Sequence, residues 1–307
     1  MSGPGRGTGP RGVAVIGARG FIGSRVVTHL RAAGRDVFVY DRAHPAVVGD
    51  EFADPDLASA TDVVWAASSI NPLIAENYPA RVADDAESFS AYLRAAARLA
   101  HPPRTVLLSS GGTVYDPTAT PPYAETSPTV PRSTYGRAKL GLERALQRSR
   151  VPGVVLRIAN AYGPGQPVAP GQGVVSHWLR AVAAGQELHV YGDGSTARDY
   201  VHVDDVARAV VATTARDTGA WDVFNIGSGR AASLSELLEI TRAVVGDHEV
   251  RVRRHPARGF DQQATWLDCR HTSDVLGWTA QVSLERGLRE TWRAIAHDVA
   301  PTPGSVR

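Results

Sequence analysis

The chain has 307 residues, 43% of them hydrophobic, and its formal net charge is only +2. This length is ample for two domains with a sizeable buried core. The small net charge does not indicate binding to nucleic acid or to an anionic membrane. No apolar run approaches the roughly 18 residues of a membrane span. The single cysteine, Cys269, cannot form a disulfide within the chain, and we expect it to be buried and inert.

The two ends of the chain have the composition of flexible tails. Residues 1–12 are mostly glycine, proline and arginine, without the apolar segment of a signal peptide. We expect residues 1–12 and 301–307 to be disordered. Together with the lone thiol, this composition predicts a cytoplasmic protein.

Short apolar runs alternate with helical patterns in the first half of the chain. Val13–Gly17 predicts a buried strand, and the apolar spacing over Phe21–Ala33 predicts the helix that follows it. Strands that alternate with helices imply right-handed crossovers and a parallel α/β sheet. The same rhythm predicts further strands at 36–40, 63–67, 105–110 and 154–159, and further helices at 86–100 and 134–149.

The pattern changes after Asn160, where a stretch rich in glycine and proline begins. We place a domain boundary there, with a dinucleotide-binding domain over 13–165, to which about 202–227 returns. A smaller, mixed α/β substrate-binding domain takes 166–300. It is expected to lie over the carboxyl edge of the first sheet, where open α/β sheets bind ligands. The second half predicts helices at 174–184, 204–215, 234–245 and 284–296, and strands at 188–191 and 250–253.

The segment Gly17-Ala18-Arg19-Gly20-Phe21-Ile22-Gly23 follows a strand and opens a helix. Its glycines permit a tight turn and close approach of the backbone to a pyrophosphate, and the helix N-terminus supplies N–H groups. Asp41 ends the second strand and can accept hydrogen bonds from the adenosine ribose, which favours NAD over NADP. Arg42 beside it could instead pair with a 2′-phosphate, so both cofactors remain possible at this point.

Tyr135 and Lys139 lie four residues apart on a predicted helix and therefore share one face. The lysine ammonium can lower the pKa of the tyrosine, and the positive charge of an oxidised nicotinamide adds to this effect. Such a tyrosine serves as a general base for a hydroxyl or as a general acid for a carbonyl. Downstream of the glycine-rich turn, this pair predicts a dinucleotide-dependent oxidoreductase.

A third motif, Ser109-Ser110-Gly111-Gly112-Thr113-Val114-Tyr115, lies at the end of a predicted strand. Hydroxyl groups at a carboxyl strand end can bind the oxygen atom that gains or loses a proton. Serine, glycine and threonine are also ordinary turn residues. This motif therefore indicates a catalytic site only in combination with the glycine-rich turn and the Tyr135–Lys139 pair.

Together these motifs resemble the extended short-chain dehydrogenase/reductase family, and within it the nucleotide-sugar epimerases related to UDP-galactose 4-epimerase. The resemblance runs from about Val13 to about Trp292. It extends to the stretches 157–165, 191–205 and 224–229, and to Leu276-Gly277-Trp278. It implies a Rossmann-type doubly wound sheet with a smaller C-terminal substrate domain, bound NAD, and a homodimer formed through the helices at 86–100 and 134–149.

The resemblance also implies roles for individual residues. Asn160, Arg198 and Arg258 match positions that bind the phosphates of a sugar nucleotide, while Asp261 matches a ribose contact. No metal site is expected, since the histidines show no paired ligand spacing. The residues that we expect to contact a nucleotide sugar are Asn160, Val174, Val175, Tyr191, Arg198, Arg258 and Asp261. The residues that we expect to contact NAD are Gly17, Gly20, Phe21, Ile22, Gly23, Asp41, Arg42, Ala66, Ala67, Ser109, Tyr135, Lys139 and Ile158.

The sequence departs from the hexose 4-epimerases at several places. Their catalytic serine matches Gly111, so Thr113, which we prefer, or Ser110 must supply the hydroxyl if that role is filled. The asparagine often found on the helix after the fourth strand is absent near Ser88-Phe89. Trp65 occupies the position of the usual histidine on the preceding strand. The segment 68–81 is irregular and has no clear counterpart.

The preferred function is 4-epimerisation of a UDP- or dTDP-hexose through a transient 4-keto sugar. The main alternative is an NAD(P)H-dependent 4-ketoreductase of a deoxysugar nucleotide, in which the same residues carry out a single reduction. A 4,6-dehydratase is disfavoured because Gly111 and Gly112 carry no proton-transferring side chain. A non-catalytic dinucleotide sensor is also disfavoured, since a sensor needs no tuned tyrosine such as Tyr135.

Overall fold

The computed structural model of the chain describes residues 12–168, 173–257 and 264–299. In the first half, strands and helices alternate as the apolar spacing predicts. The elements of this half are β1 (Val13–Ile16), α1 (Phe21–Ala32), β2 (Val37–Tyr40), β3 (Val47–Val48), β4 (Glu51–Phe52), α2 (Pro55–Ala58), β5 (Asp62–Trp65), α3 (Pro72–Asn77), α4 (Pro79–Ala97), β6 (Arg104–Ser110), α5 (Thr134–Arg148), β7 (Gly153–Ile158) and β8 (Asn160–Tyr162).

The second half contains shorter strands between helices. Its β9 coincides with the predicted strand, whereas β13 begins two residues later than predicted. The elements are α6 (Val174–Ala183), β9 (Leu188–Tyr191), β10 (Ala197–His202), α7 (Val203–Thr214), β11 (Trp221–Ile226), β12 (Ala231–Ser233), α8 (Leu234–Val245), β13 (Val252–His255), β14 (Ala264–Thr265), α9 (Arg270–Leu276) and α10 (Leu284–Val299).

A six-stranded parallel sheet with the order β11-β7-β6-β5-β1-β2 forms the centre of the molecule. The chain runs outward from β1 in both directions, which is the doubly wound arrangement that the sequence predicts. Strand β11 comes from the second half and completes the sheet beside β7. The predicted Rossmann-type fold is confirmed, while the exact domain limits stay a prediction.

Helices cover both faces of this sheet. On one face, Val26 and Leu30 of α1 pack with Val206 and Val210 of α7. On the other face, Phe89 of α4 and Leu142 of α5 pack against strand residues such as Val63 and Leu107. The sheet is therefore buried on both sides, as its continuously apolar strands require.

Strand β8 and the shorter strands of the second half, with three helices, build a smaller layer beside the sheet. Strands β12, β10 and β14 pair with one another, β8 pairs with β10, and β9 pairs with β13. Helices α6, α8 and α10 enclose a separate apolar core around Leu179, Leu237 and Leu288. Among the described residues, no helix combines the length and the apolar character needed to cross a membrane.

A buried polar network connects the sheet to the rest of the chain. Arg157 on β7 pairs with Glu143 on α5, with Nη2 and Oε2 2.8 Å apart, and Ser109 donates to the same carboxylate. Arg157 also donates to the phenol oxygen of Tyr115 at 3.2 Å, and that phenol donates to Asn225 at 2.6 Å. Each charge is buried with its partner, which is the condition under which a buried ion pair is tolerated.

Two segments of the first half differ from the sequence-based expectation. Helix α4 begins at Pro79, seven residues before the predicted start, because proline is accepted in the first turn of a helix. The segment 68–81, expected to be irregular, contains the short helix α3. Asn71 precedes it and accepts the N–H of Ile74 at 2.8 Å, which is a side-chain cap.

Candidate active site

The glycine-rich turn brings three backbone segments into contact. Gly17 has a φ of +88°, and a Cβ atom there would lie 2.6 Å from the amide nitrogen of Ala67. A Cβ atom at Gly23 would collide with the carbonyl of Gly17. Because only glycine fits these positions, β1, α1 and the end of β5 meet without side chains between them.

This turn leaves an open cradle at the carboxyl edge of the sheet. Gly20 precedes α1 and makes no side-chain cap, so the N–H groups of the first turn, at Phe21 and Ile22, are available to an anion. Ala66 and Ala67 directly follow β5, and Ile158 ends β7 at the same edge. The structure therefore collects the predicted NAD contacts at one edge, and their chemistry fits a dinucleotide.

Asp41 lies beside the same turn and is already engaged. Its Oδ1 accepts the N–H groups of Ala43 at 2.7 Å and His44 at 3.0 Å, and its Oδ2 lies 2.7 Å from Nε of Arg19. The hydrogen bond from the His44 backbone, with Arg19 contributing, lowers the pKa of the Asp41 carboxyl. Arg42 is exposed beside it. Asp41 is thus a carboxylate acceptor that pairs with the Arg19 guanidinium.

The predicted Tyr135–Lys139 pair lies on the first turns of α5. Ser133 caps this helix by accepting the N–H of Gly136 at 3.0 Å. Lys139 is buried, and its Nζ lies 5.6 Å from the centre of the Tyr135 ring. The spacing of four residues therefore places the ammonium next to the phenol, as predicted.

The chain's own residues do not lower the pKa of Tyr135. Burial and then the Asp85 carboxylate on α4 raise the pKa of Tyr135 to about 12. Burial also lowers the pKa of Lys139, which Asp85 partly opposes. The expected lowering of the Tyr135 pKa by Lys139 is therefore wrong for the chain by itself, because the cost of burying the phenolate and the nearby carboxylate outweighs the ammonium. The positive charge of an oxidised nicotinamide would act in the opposite direction.

The first turn of α5 packs directly against the serine- and threonine-containing turn after β6. A Cβ atom at Gly136 would collide with the carbonyl oxygen of Thr113. The hydroxyl groups of Thr113 and Ser110 are hydrogen-bonded to each other at 2.9 Å. Both predicted hydroxyl residues therefore lie together, next to the turn that carries Tyr135.

The geometry explains the glycine at the position of the family's serine. A Cβ atom at Gly111 would lie 2.6 Å from Cδ1 of Leu267 and 2.9 Å from the carbonyl oxygen of Arg157. Gly112, in contrast, has open space, with Nδ2 of Asn160 at 3.9 Å. A serine side chain at Gly111 would therefore displace Leu267, so the hydroxyl must come from elsewhere on this turn.

The predicted phosphate-binding residues follow β7 and lie on β10. Asn160 donates from Nδ2 to the carbonyl of Asp199 at 2.8 Å, and the Arg198 guanidinium donates to the carbonyl of Ala197 at 2.8 Å. The Asp199 carboxylate accepts the N–H and the hydroxyl of Ser228, at 2.8 and 2.6 Å. Strands β8 and β10 are adjacent, so Asn160 and Arg198 lie close in the fold.

The other predicted sugar-nucleotide contacts are dispersed over the smaller layer. Val174 and Val175 form the first turn of α6, and the Tyr191 ring stacks on His255 with centroids 4.8 Å apart. Arg258 and Asp261 lie outside the described residues. Ser109 was among the residues predicted to contact NAD, but its hydroxyl donates a hydrogen bond to the Glu143 carboxylate.

One group outside this site has the composition of a metal site. His202, Asp204 and Glu290 place potential ligand atoms within 4.8 Å of one another. However, Nδ1 of His202 accepts the N–H of Asp204, so Nε2 carries the ring proton, and the Asp204 carboxylate already pairs with Arg25 at 2.6 Å. An ion would have to displace both the proton and the guanidinium. We therefore assign this group to the packing between α1, α7 and α10.

Cys269 is half-buried, and the charged groups that act on its thiol are carboxylates, led by Asp199. Its thiol is 3.6 Å from the carbonyl oxygen of Gly227. Burial raises the pKa of the Cys269 thiol to about 12. A thiol that remains protonated is a poor nucleophile, which agrees with the inert role expected for it.

Replacing Asp41 by alanine tests cofactor selection. We expect Asp41→Ala to weaken NAD binding about tenfold or more, because a charged acceptor for the ribose is lost. Its affinity for NADP should change less or increase, since Arg19 no longer pairs with a carboxylate and the charge that repels a 2′-phosphate is lost. Fluorescence titration of both nucleotides measures this. A wild-type chain that already prefers NADP would contradict the role given to Asp41.

Comparison with known proteins places this site in a family. The family model described as "NAD dependent epimerase/dehydratase family" matches residues 13–227. A UDP-glucose 4-epimerase of Mycolicibacterium smegmatis is 33% identical over 90% of this chain and 96% of its own length. A dTDP-6-deoxy-L-talose 4-dehydrogenase (NAD(P)(+)) of Kitasatospora kifunensis is 32% identical over 94% of this chain and 96% of its own.

A solved structure shares the same architecture. MoeE5, solved in complex with UDP-glucose and NAD, superposes with a TM-score of 0.82 at 29% identity, covering 94% of this chain and 100% of its own. The glycine-rich cradle, the tyrosine–lysine pair on α5 and these similarities lead to one conclusion. The chain belongs to the NAD-dependent epimerase/dehydratase family and is an NAD-dependent enzyme.

Proposed function

We propose that the chain is an NAD-dependent nucleotide-sugar epimerase that inverts C4 of a UDP- or dTDP-hexose through a transient 4-keto sugar. One observation carries this proposal. Gly136 lets the first turn of α5, which carries Tyr135, pack against the turn that carries the hydrogen-bonded hydroxyl groups of Ser110 and Thr113. The similarity to a UDP-glucose 4-epimerase over nearly the whole chain supports the same activity.

Each residue of this arrangement has a defined task. NAD, when bound, accepts a hydride from C4 and later returns it. Tyr135 takes the proton of the 4-hydroxyl at its phenolic oxygen and gives a proton back to the ketone oxygen. The Lys139 ammonium, together with the positive charge of an oxidised nicotinamide, would stabilise the phenolate, and a hydroxyl of Ser110 or Thr113 would donate a hydrogen bond to the sugar's 4-oxygen. Inversion requires the 4-keto sugar to present its other face before the hydride returns.

A 4-ketoreductase is the second candidate, because it would use the same residues in one direction. The relative named dTDP-6-deoxy-L-talose 4-dehydrogenase (NAD(P)(+)), which matches over 94% of this chain, supports keeping it. A dehydratase is disfavoured, since elimination of water needs acid and base groups that Gly111 and Gly112 do not offer. The cofactor released by denaturing the purified protein separates the two candidates. Retained NAD supports the epimerase, whereas an empty chain that consumes NAD(P)H supports the reductase.

Replacing Tyr135 by phenylalanine tests the proposed chemistry. We expect Tyr135→Phe to retain NAD and to lose about 10²-fold or more of turnover, because the proton-transfer group is removed while the ring remains. The measurement is interconversion of 4-epimeric UDP- and dTDP-hexoses, followed by NMR. Turnover near the wild-type rate on the same substrate would show that another residue transfers the proton.

The two neighbouring hydroxyl groups can be distinguished by removing each in turn. Thr113→Val preserves shape and removes one hydroxyl, and we expect it to reduce kcat about 10²-fold while NAD remains bound. Ser110→Ala should reduce kcat less. The ranking is measured at saturating substrate with rates normalised to bound NAD. The reverse ranking would transfer the role from Thr113 to Ser110.

We further propose that the chain is a cytoplasmic homodimer paired through α4 and α5. The alanine-rich sequence of α4 permits close approach of a second helix, which favours a four-helix bundle. Light scattering at micromolar concentration should give a mass of about twice the 32.6 kDa of one chain. A monomer under these conditions would contradict the proposal.

A further inference from the structure

The short helix α3 lies against the beginning of α5, although the sequence shows no clear counterpart for this segment in the related epimerases. Its last turn carries Glu76, whose two carboxylate oxygens accept hydrogen bonds from Thr134. Oε1 accepts the Thr134 N–H at 2.9 Å, and Oε2 accepts the Thr134 hydroxyl at 2.8 Å. Thr134 is the first residue of α5 and directly precedes Tyr135.

Helix α3 is itself fixed at its beginning, so it forms a support for Glu76. Asn71 is buried and caps α3. Just before it, Ser68 donates its hydroxyl and Ser69 its N–H to the Asp85 carboxylate on α4, at 2.7 and 2.8 Å. The segment is therefore connected by side-chain hydrogen bonds to α4 on one side and to α5 on the other.

From these contacts we propose that Glu76 is a positioning residue, which holds the first turn of α5 so that Tyr135 meets the Ser110–Thr113 hydroxyl pair. A free helix N-terminus has unsatisfied N–H groups and a positive dipole end, and a carboxylate satisfies both. The hydrogen bonds from Thr134 lower the pKa of Glu76, so it is ionised at neutral pH. The inference rests on the proposed function, because it assigns Glu76 a role through Tyr135.

This role differs from a purely structural one. Loss of a cap that only stabilised the fold would reduce the fraction of folded, NAD-loaded protein and leave the rate of each loaded site unchanged. Loss of a positioning contact reduces the rate of each loaded site, since small displacements of a reacting group are costly. NAD content and kcat therefore separate the two roles.

The test compares Glu76→Ala with Glu285→Ala. Glu285 in the first turn of α10 is an exposed glutamate that pairs with Arg289 at 2.6 Å, so its loss removes the same side chain from an ion pair outside α3, α4 and α5. We expect Glu76→Ala to reduce kcat per NAD-loaded site about tenfold and to leave KM for the nucleotide sugar within about twofold. Glu76→Gln, which keeps an amide oxygen as acceptor, should fall between. Glu285→Ala should match the wild type.

A double-variant cycle shows whether Glu76 acts through Thr134. Thr134→Val removes the hydroxyl contact with Glu76, together with the hydrogen bond that Arg137 donates to the same hydroxyl at 2.9 Å, and keeps the N–H contact. Combining it with Glu76→Ala should reduce kcat no further than Glu76→Ala does, apart from any loss that Arg137→Ala alone produces. Additive losses, or an unchanged kcat per loaded site in Glu76→Ala, would overturn the proposal.

Hydrogen exchange provides a measurement that does not depend on turnover. In Glu76→Ala the Thr134 amide should exchange faster, with the effect confined to the first turn of α5. Unchanged exchange would overturn the role of Glu76, whatever the activity. A wild-type chain that neither epimerises nor reduces any nucleotide sugar would instead refute the proposed function. Hydrogen exchange of the Thr134 amide would still show whether Glu76 holds the first turn of α5.

Discussion

The contact between Gly136 and the Thr113 carbonyl is the constraint on which the active site depends. A helix and a strand-end turn approach so closely there that a single methyl group would separate them. This approach determines where Tyr135 lies relative to the two hydroxyl groups. The other end of α5 is held by Leu142 and Leu146 in the apolar core, so the helix is fixed over its whole length.

The same arrangement makes proton transfer dependent on the cofactor's charge. Burial and Asp85 keep the Tyr135 phenol protonated, which suits a general acid acting on a ketone. Loss of that proton requires positive charge nearby, and the chain offers the Lys139 ammonium, whose own charge is disfavoured by burial. An oxidised nicotinamide, when bound, would supply the remaining charge. Tyr135 would then act as a base beside NAD⁺ and as an acid beside NADH.

Much of the fold could be predicted because its signals are local. The apolar spacing after Gly17 and the run Val13–Ile16 each define one element, and the glycines mark the turn between them. The spacing of Tyr135 and Lys139 likewise places both on one helical face. These features depend only on residues that are close in sequence.

Other features depend on contacts that the sequence alone does not display. Gly111 lacks a side chain because Leu267, more than 150 residues away in the chain, occupies that space. The pKa of Tyr135 depends on Asp85, which belongs to another helix. For α3, Asn71 before Pro72 is a local pattern typical of a helix start. The Glu76–Thr134 contact joins residues 58 positions apart in the chain, so no periodicity points to it.

The central claim is that hydride leaves C4 of a nucleotide sugar and returns to the same carbon atom. It is tested most directly with a 4-epimeric UDP- or dTDP-hexose deuterated at C4 and no added cofactor. The account predicts interconversion of the epimers with deuterium retained at C4, because the Tyr135 site exchanges only the oxygen-bound proton with solvent. Loss of the label to solvent, or turnover only with added NAD(P)H, would contradict it.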